Sequence, residues 1–443
     1  MKDSVLGLLF ALAITYALEP EVILEEPNGV RLRLKDEPSL LGVKFEVQPD
    51  GQKLYKEFIE HTLDGAWEFH IPEVKVAPGG KLRYRLTAYY EDNMKETEWM
   101  THEVENLRPV RSMKRAVVFR DDYNKDTFDH SKYSIECSAW GGGNNEFQIY
   151  TNQAKNLFTR GGHLYIKPTL TIDDPKYDSH RLHYGRMVAK ELCGYCSQST
   201  NWGCDKSAVN GNVLNPIMSG KVTTHASIRY GTVTVRAKIP RGDWIWPAIW
   251  MLPKDWHYGG WPRSGEIDLM EARCNSKVNC GGNDHGIGEV ASTLHWGPST
   301  DHNGFMKTHG EKDKNGGDWA DGFHIYKLEW YADHIRVTVD GDQIMYVGTP
   351  GNGFYSYGGF GGSNIWASGG KNAPFDQPFQ LIMNVAVGGD FFSSGCSYNH
   401  PRPWTDNSPR EMGEFWDRRN EWLATWHGDN VAMQIDYVEM VQA

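Results

Sequence analysis

The amino-acid sequence predicts an all-β protein built as two sandwiches in tandem, and three observations predict it. Apolar and polar residues alternate with period two through many short runs. Gly, Pro, Asn and Asp clusters punctuate those runs at strand-and-turn spacing, and Gly alone accounts for 47 of 443 residues. Helical patterns are few, and the best candidate is MGEFWDRRNEWLATW at 412–426, which is expected to flank the core.

The first element is not a strand. Residues 1–17, MKDSVLGLLFALAITYA, have a charged start, an apolar stretch from Val5 to Ile14, and small residues Thr15 and Ala17 before a plausible cleavage point. This reads as a signal peptide and predicts a secreted, soluble protein. Residues 18–105 follow with VRLRL, GVKFEV, AWEFHI, KLRYRLTAYY and EWMTHEV, separated by EEPNGV, PDGQ and APGGK. That spacing predicts a small immunoglobulin-like β-sandwich. NLRPVRSMKR at 106–115 is basic and aperiodic and reads as a linker. From 116 to 443 the strand signals are AVVFRD, HLYIKPTLT, GTVTVRAKI, IWPAIWML, EIDLMEA, VASTLHW, FHIYKLEWY, HIRVTVDG, FQLIMNVAVG and MQIDYVEMV. So many strands in one domain predict two large sheets packed face to face.

The formal charge of -11 disfavours nucleic acid or an anionic membrane as partner and suits a neutral one. Seven Cys in a secreted chain imply disulfides. Cys274 and Cys280 bracket a short loop that a bond between them would close, and Cys137 and Cys396 are candidates to pair across the fold, with connectivity left open by the sequence. Cys193, Cys196 and Cys204 form a third group. CGYC opens many zinc sites, but no His stands at ligand spacing here, so a disulfide is the expectation.

The chemistry concentrates in GEIDLME, residues 265–271. In a strand, Glu266 and Asp268 share a face, and strict alternation sends Glu271 to the other. Either Glu271 is an unrelated surface acid, or an extra residue at Met270 restores it to the acidic face. Two carboxylates on one β surface are the apparatus of glycoside hydrolysis, where a retaining enzyme holds them about 5–5.5 Å apart. Asp268 would lie between them. The alternative is a solvated acidic face. The neighbours favour chemistry: in residues 242–256, GDWIWPAIWMLPKDW, a strand puts Trp246, Ala248 and Trp250 on one face, and Trp261 precedes the acids. Indole stacks on sugar rings and its N–H reaches hydroxyls, although about half of these clustered Trp are expected in the core. STLHWGP at 292–298 adds His295 and Trp296 as substrate contacts; His295 either meets the acid/base Glu or the sugar, or is structural.

With these residues in hand the chain resembles the invertebrate β-1,3-glucan-recognition and β-1,3-glucanase group of glycoside hydrolase family 16. IRYGTVTVRAKIPRGDWIWPAIWMLP, WPRSGEIDLMEARCN, STLHWGP and FQLIMNVAVGG carry the resemblance, in the family's order. The N-terminal region resembles carbohydrate-binding family 39 through EPNGVRL and its strand pattern. The resemblance implies a concanavalin-like β-jelly-roll with a concave cleft for β-1,3-glucan. It implies Glu266 as nucleophile, Asp268 as its orienting partner and Glu271 as acid/base. It implies no required cofactor, although a structural calcium near Asp121 and Asp436 occurs in some relatives. Arg-Cys-Asn follows Glu271 where relatives read Arg-Gly-Asn.

Two functions compete on this reading. One is a secreted endo-β-1,3-glucanase acting with retention. The other is a glucan-recognition protein of innate immunity that binds without turnover and works through signalling partners. Many relatives of the second kind have lost the Glu pair, which this chain keeps. A matrix protein using both domains as adhesive would need neither Glu. The bulged spacing favours β-1,3-glucan over mixed-linkage glucan and leaves galactan open.

Overall fold

The structure is a computed structural model. It describes residues 18–103 apart from 19, 25–29, 38, 60, 61, 63–65, 72, 73, 75–79, 91 and 92, and residues 116–443 apart from 210. The expected signal peptide, 1–17, and the expected linker, 106–115, lie outside the described residues. The chain divides into two compact units, residues 1–113 and 114–443.

In the first unit, strands Glu21–Leu24, Val30–Lys35 and Ala66–Ile71 form one antiparallel sheet. Leu40–Pro49, Tyr55–Ile59, Lys81–Tyr90, Met94–Glu96 and Met100–Glu103 form a second. Their inward residues, among them Val30, Leu32, Phe45, Val47, Leu82 and Leu86, are fully buried in one cluster. Alternation in Val30–Lys35 is what makes this possible, because every second residue turns its apolar side chain inward.

The second unit carries two large sheets. The eight-stranded sheet runs in the order 157–160, 163–166, 433–442, 231–238, 324–330, 334–339, 342–348, with Ala116–Asp121 also paired on Met433–Gln442. The seven-stranded sheet holds the strands that matter below: β1 Tyr133–Ile135, β2 Lys221–Thr224, β3 Ile245–Pro253, β4 Glu266–Glu271, β5 Glu289–His295, β6 His309–Asp313 and β7 Phe379–Val387. Their spatial order is β1-β2-β7-β3-β4-β5-β6, all antiparallel. One core cluster joins the sheets, with Val233, Val235 and Ala237 from the eight-stranded sheet meeting Ile249, Met251, Ile267 and Leu269 from β3 and β4. The helical segment is present as Glu411–Asp417 and Arg419–Trp422, with Phe415 and Trp422 buried against Trp244 and Trp246.

The disulfides are Cys137–Cys193, Cys196–Cys204 and Cys280–Cys396, and Cys274 is free and buried. The candidate pairs Cys274–Cys280 and Cys137–Cys396 are therefore replaced by these three. The reason lies in the strand ladder: Val278 pairs with Tyr398 and Asn279 with Ser397, which brings Cys280 beside Cys396. Cys274 instead turns into the core between the sheets. Cys193 and Cys196 face different partners, so CGYC forms no metal knuckle.

Candidate active site

The floor of the cleft is the face of the seven-stranded sheet turned away from the core, and its residues run in rows across the strands. One row reads Lys221, Asn384, Ala248, Glu271, Ala291, Glu311. The next reads Thr223, Ile382, Trp250, Asp268, Thr293, His309. Between these rows β4 carries an extra residue. Trp250 pairs with Asp268 and Ile249 with Met270, while Asp268 pairs with Thr293 and Glu271 with Ala291. Leu269 and Met270 thus share one position of the ladder, and both are fully buried in the core.

Energetics select this bulge. Without it Met270 would face the cleft and Glu271 the core. Burying an unpaired carboxylate costs several kcal/mol, whereas burying a Met side chain gains about 1.5–3 kcal/mol. The strand accepts an irregular ladder and keeps Glu266, Asp268 and Glu271 together on one cavity of about 750 Å³. Gly265 starts the strand with φ +83°, and a Cβ there would meet Phe375 at 3.0 Å. That turn sets Trp261 over the first acid.

Each acid has its own donor. Trp261 Nε1 donates to Glu266 Oε2 at 2.9 Å, and Trp246 Nε1 donates to Glu271 Oε1 at 3.0 Å. Asp268 is 2% exposed and hydrogen-bonds the Glu266 carboxyl. Burial and the adjacent Asp268 charge push Glu266 well above the usual carboxylate range. Burial and the Glu271 charge do the same to Asp268. The two acids therefore hold a proton between them more tightly than free carboxyls would. His295 stands beside this pair, with Nε2 3.3 Å from Asp268 Oδ2. Asn303 Oδ1 accepts from the backbone N–H of Trp296 and Phe305, which leaves its Nδ2 to donate to His295 Nδ1 at 2.8 Å. A neutral His295 then carries its proton on Nε2, toward Asp268. His295 is expected on Glu271 or on the sugar; its Nε2 instead stands beside Asp268.

The tryptophans divide. Trp246, Trp250 and Trp261 line the cavity. Trp246 is stacked on Phe391 with ring centroids 4.1 Å apart, so its N–H edge, not its face, is turned to the site. Trp261 keeps an open face at 39% exposure, and Trp256, which the sequence reading did not single out, has one at 45%. Trp296 is corrected. Because His295 faces the cleft opposite Glu266, the next residue must face the core, and Trp296 is fully buried among Phe354, Phe360 and Trp366. Its Nε1 donates to Thr308 Oγ1 at 2.8 Å.

A second polar group at the other end of the cavity escaped sequence reasoning. Lys221 forms a 2.9 Å ion pair with Glu136 and lies 5.1 Å from the Trp250 ring centre. Trp250 Nε1 donates to Asn384 Oδ1, Asn384 Nδ2 to Tyr150 Oη, and Tyr150 Oη to Glu146 Oε2. The only local signal was the alternation in KVTT, since its partners come from segments far apart in the chain.

Asp121 and Asp436 do not fit a calcium site. Calcium takes about 6–8 oxygen ligands. Asp121 instead meets Lys132 Nζ at 3.1 Å, and Asp436 meets Arg236 at 2.5 Å and His163 at 3.7 Å. Each acid already has a cationic side chain as its partner.

Comparison with known proteins now bears on this site. The model of the family described as Glycosyl hydrolases family 16 matches residues 196–356, which contain all three carboxylates. Over 340 residues the chain is 41% identical to the beta-1,3-glucan-binding protein of Penaeus monodon, covering 73% of this chain and 90% of that protein. It is 34% identical over 293 residues to glucan endo-1,3-beta-glucosidase A1 of Niallia circulans, covering 62% of this chain but only 34% of that protein. It is 30% identical over 279 residues to a glucan endo-1,3-beta-glucosidase of Cryptopygus antarcticus, covering 62% of this chain and 81% of that protein.

Proposed function

The chain belongs to glycosyl hydrolase family 16, and from that premise we propose that it is a secreted endo-β-1,3-glucanase working by double displacement. The observation that carries this reading is the bulge, which brings Glu266, Asp268 and Glu271 onto one cavity with an indole donor on each Glu. Glu266 attacks the anomeric carbon while Glu271 protonates the departing glycosidic oxygen. Asp268 takes the shared proton, leaving Glu266 the anion that the attack requires. The Trp261 N–H favours charge on Glu266, and the Trp246 N–H stabilises the Glu271 carboxylate formed as its proton leaves. Glu271 then deprotonates the water that releases the glycosyl group, with overall retention. Open faces at Trp256 and Trp261 suit flanking sugar rings.

Secretion is supported by the pattern of residues 1–17 and by three disulfides. Among the described residues no helix is long and apolar enough to cross a membrane.

A second reading, glucan recognition without turnover, is supported by the similarity to the Penaeus monodon relative, which is named for binding β-1,3-glucan. The test is to incubate the protein and its Glu266→Gln variant with a soluble β-1,3-glucan and measure new reducing ends. Turnover by the wild type alone supports the enzyme. Binding with no turnover by either gives the site to recognition.

A further inference from the structure

The row that holds Glu271 does not end at the catalytic strand. It continues through Ala291 to Glu311 on β6, the last strand of the sheet. Two strand spacings of roughly 4.8 Å put Glu311 about 10 Å across the same face from Glu271. There a second group gathers. His285 Nδ1 lies 2.8 Å from Glu289 Oε2, 3.0 Å from Glu289 Oε1 and 3.6 Å from Glu311 Oε1. One ligand atom from each of the three residues falls within 4.8 Å of the others.

Three features separate this group from an ordinary acidic surface. The donors come from three places: the loop before β5, β5 itself and β6. Glu289 is 6% exposed, yet among the described residues neither Glu289 nor Glu311 has a Lys or Arg within salt-bridge distance. Asp313 pairs directly opposite Glu289 and adds a third negative charge. Glu311 is also held from outside. His309 Nε2 lies 3.0 Å from its Oε1, and the other ring nitrogen of His309 is 2.9 Å from Thr293 Oγ1. A chain of this kind behind a carboxylate is how metal ligands are oriented.

We propose that His285, Glu289 and Glu311 form a binding site for a divalent cation of the zinc class, distinct from the catalytic carboxylates. One imidazole and two carboxylates with an open fourth position match that ion's usual donors. The cation neutralises the buried charge and clips the loop carrying His285 to the last two strands of the sheet. That loop also bears the Cys280–Cys396 bond, so the cation is a second fastening on the same end of the cleft.

The test uses the full-length protein, stripped with EDTA and titrated with zinc chloride by calorimetry and by thermal unfolding. Wild type is expected to bind one zinc with a rise in Tm of a few degrees at saturating ion. His285→Ala and Glu311→Gln are expected to weaken binding at least tenfold. Glu311 is 40% exposed at its side chain, so Glu311→Gln keeps the test valid if His285→Ala does not fold. Glu266→Gln should bind zinc as wild type does. The group Glu266, Asp268 and His295 also lies within metal-ligand reach, so this variant is the discriminating control. No zinc bound by wild type, unchanged binding in Glu311→Gln, or loss of binding in Glu266→Gln overturns the proposal.

Discussion

β4 and β5 lie side by side on one sheet and begin with the same alternation, yet they end differently. In β4 the extra residue lets Glu271 return to the cleft; in β5 the alternation runs unbroken past His295 and sends Trp296 into the core. The difference teaches that residue type alone does not assign a side chain to sugar or to core. A single position of register does, because each step along a strand reverses the face.

The largest effect should come from erasing that difference. Deleting Met270 removes the extra residue and leaves Glu271 two positions after Asp268, so plain alternation keeps all three acids on the cleft face. Hydrolysis should fall because Glu271 is drawn one residue closer to Glu266, and loss of the buried Met side chain should cost about 2–5 kcal/mol in denaturant titration. Glu271→Gln keeps the bulge and removes only the proton donor. Its kcat/KM should fall by about 10²–10⁴-fold with the thermal midpoint little changed. Trp296→Ala should do the reverse, losing about 3–5 kcal/mol of stability while the protein that remains folded keeps its KM. Trp261→Phe retains the ring but deletes the donor on Glu266, and should lower kcat about tenfold, an expectation of roughly 1.4 kcal/mol in the barrier. The smallest effect concerns pH. Glu266 is held above its unfolded value of about 4.3, so between that pH and the folded value the native state keeps a proton that the unfolded chain has lost. Stability contributed by the protonated form is fully present below the unfolded pKa and falls as pH rises. Glu266→Gln should therefore raise Tm by a few degrees at pH 7 relative to wild type and by less at pH 4.

The contrast between these strands also marks what the sequence made legible. The acids of GEIDLME could be read because they sit within one strand, where period two and its single violation are both visible in seven letters. The cleft positions of Trp246 and Trp250 followed from the same local rule. Trp296 is misplaced when it is read with His295 as a pair, because adjacent residues of an unbulged strand do not share a face. The Cys280–Cys396 bond depends on a ladder between segments more than a hundred residues apart, and no local pattern carries that information. Lys221, Glu136, Glu146 and Asn384 were missed for the same reason: each is unremarkable in its own segment, and only the sheet order brings them to one cavity.

The central claim is that the bulge makes Glu266 and Glu271 a nucleophile and acid/base pair. The most direct test is to incubate the protein with an activated 2-deoxy-2-fluoro β-1,3-oligoglucoside, which slows release of the glycosyl-enzyme, and to map the labelled peptide by mass spectrometry. A fluoroglycosyl ester is expected on Glu266 and none in Glu266→Gln. A label on another residue, or hydrolysis of glucan by Glu266→Gln at the wild-type rate, would contradict it.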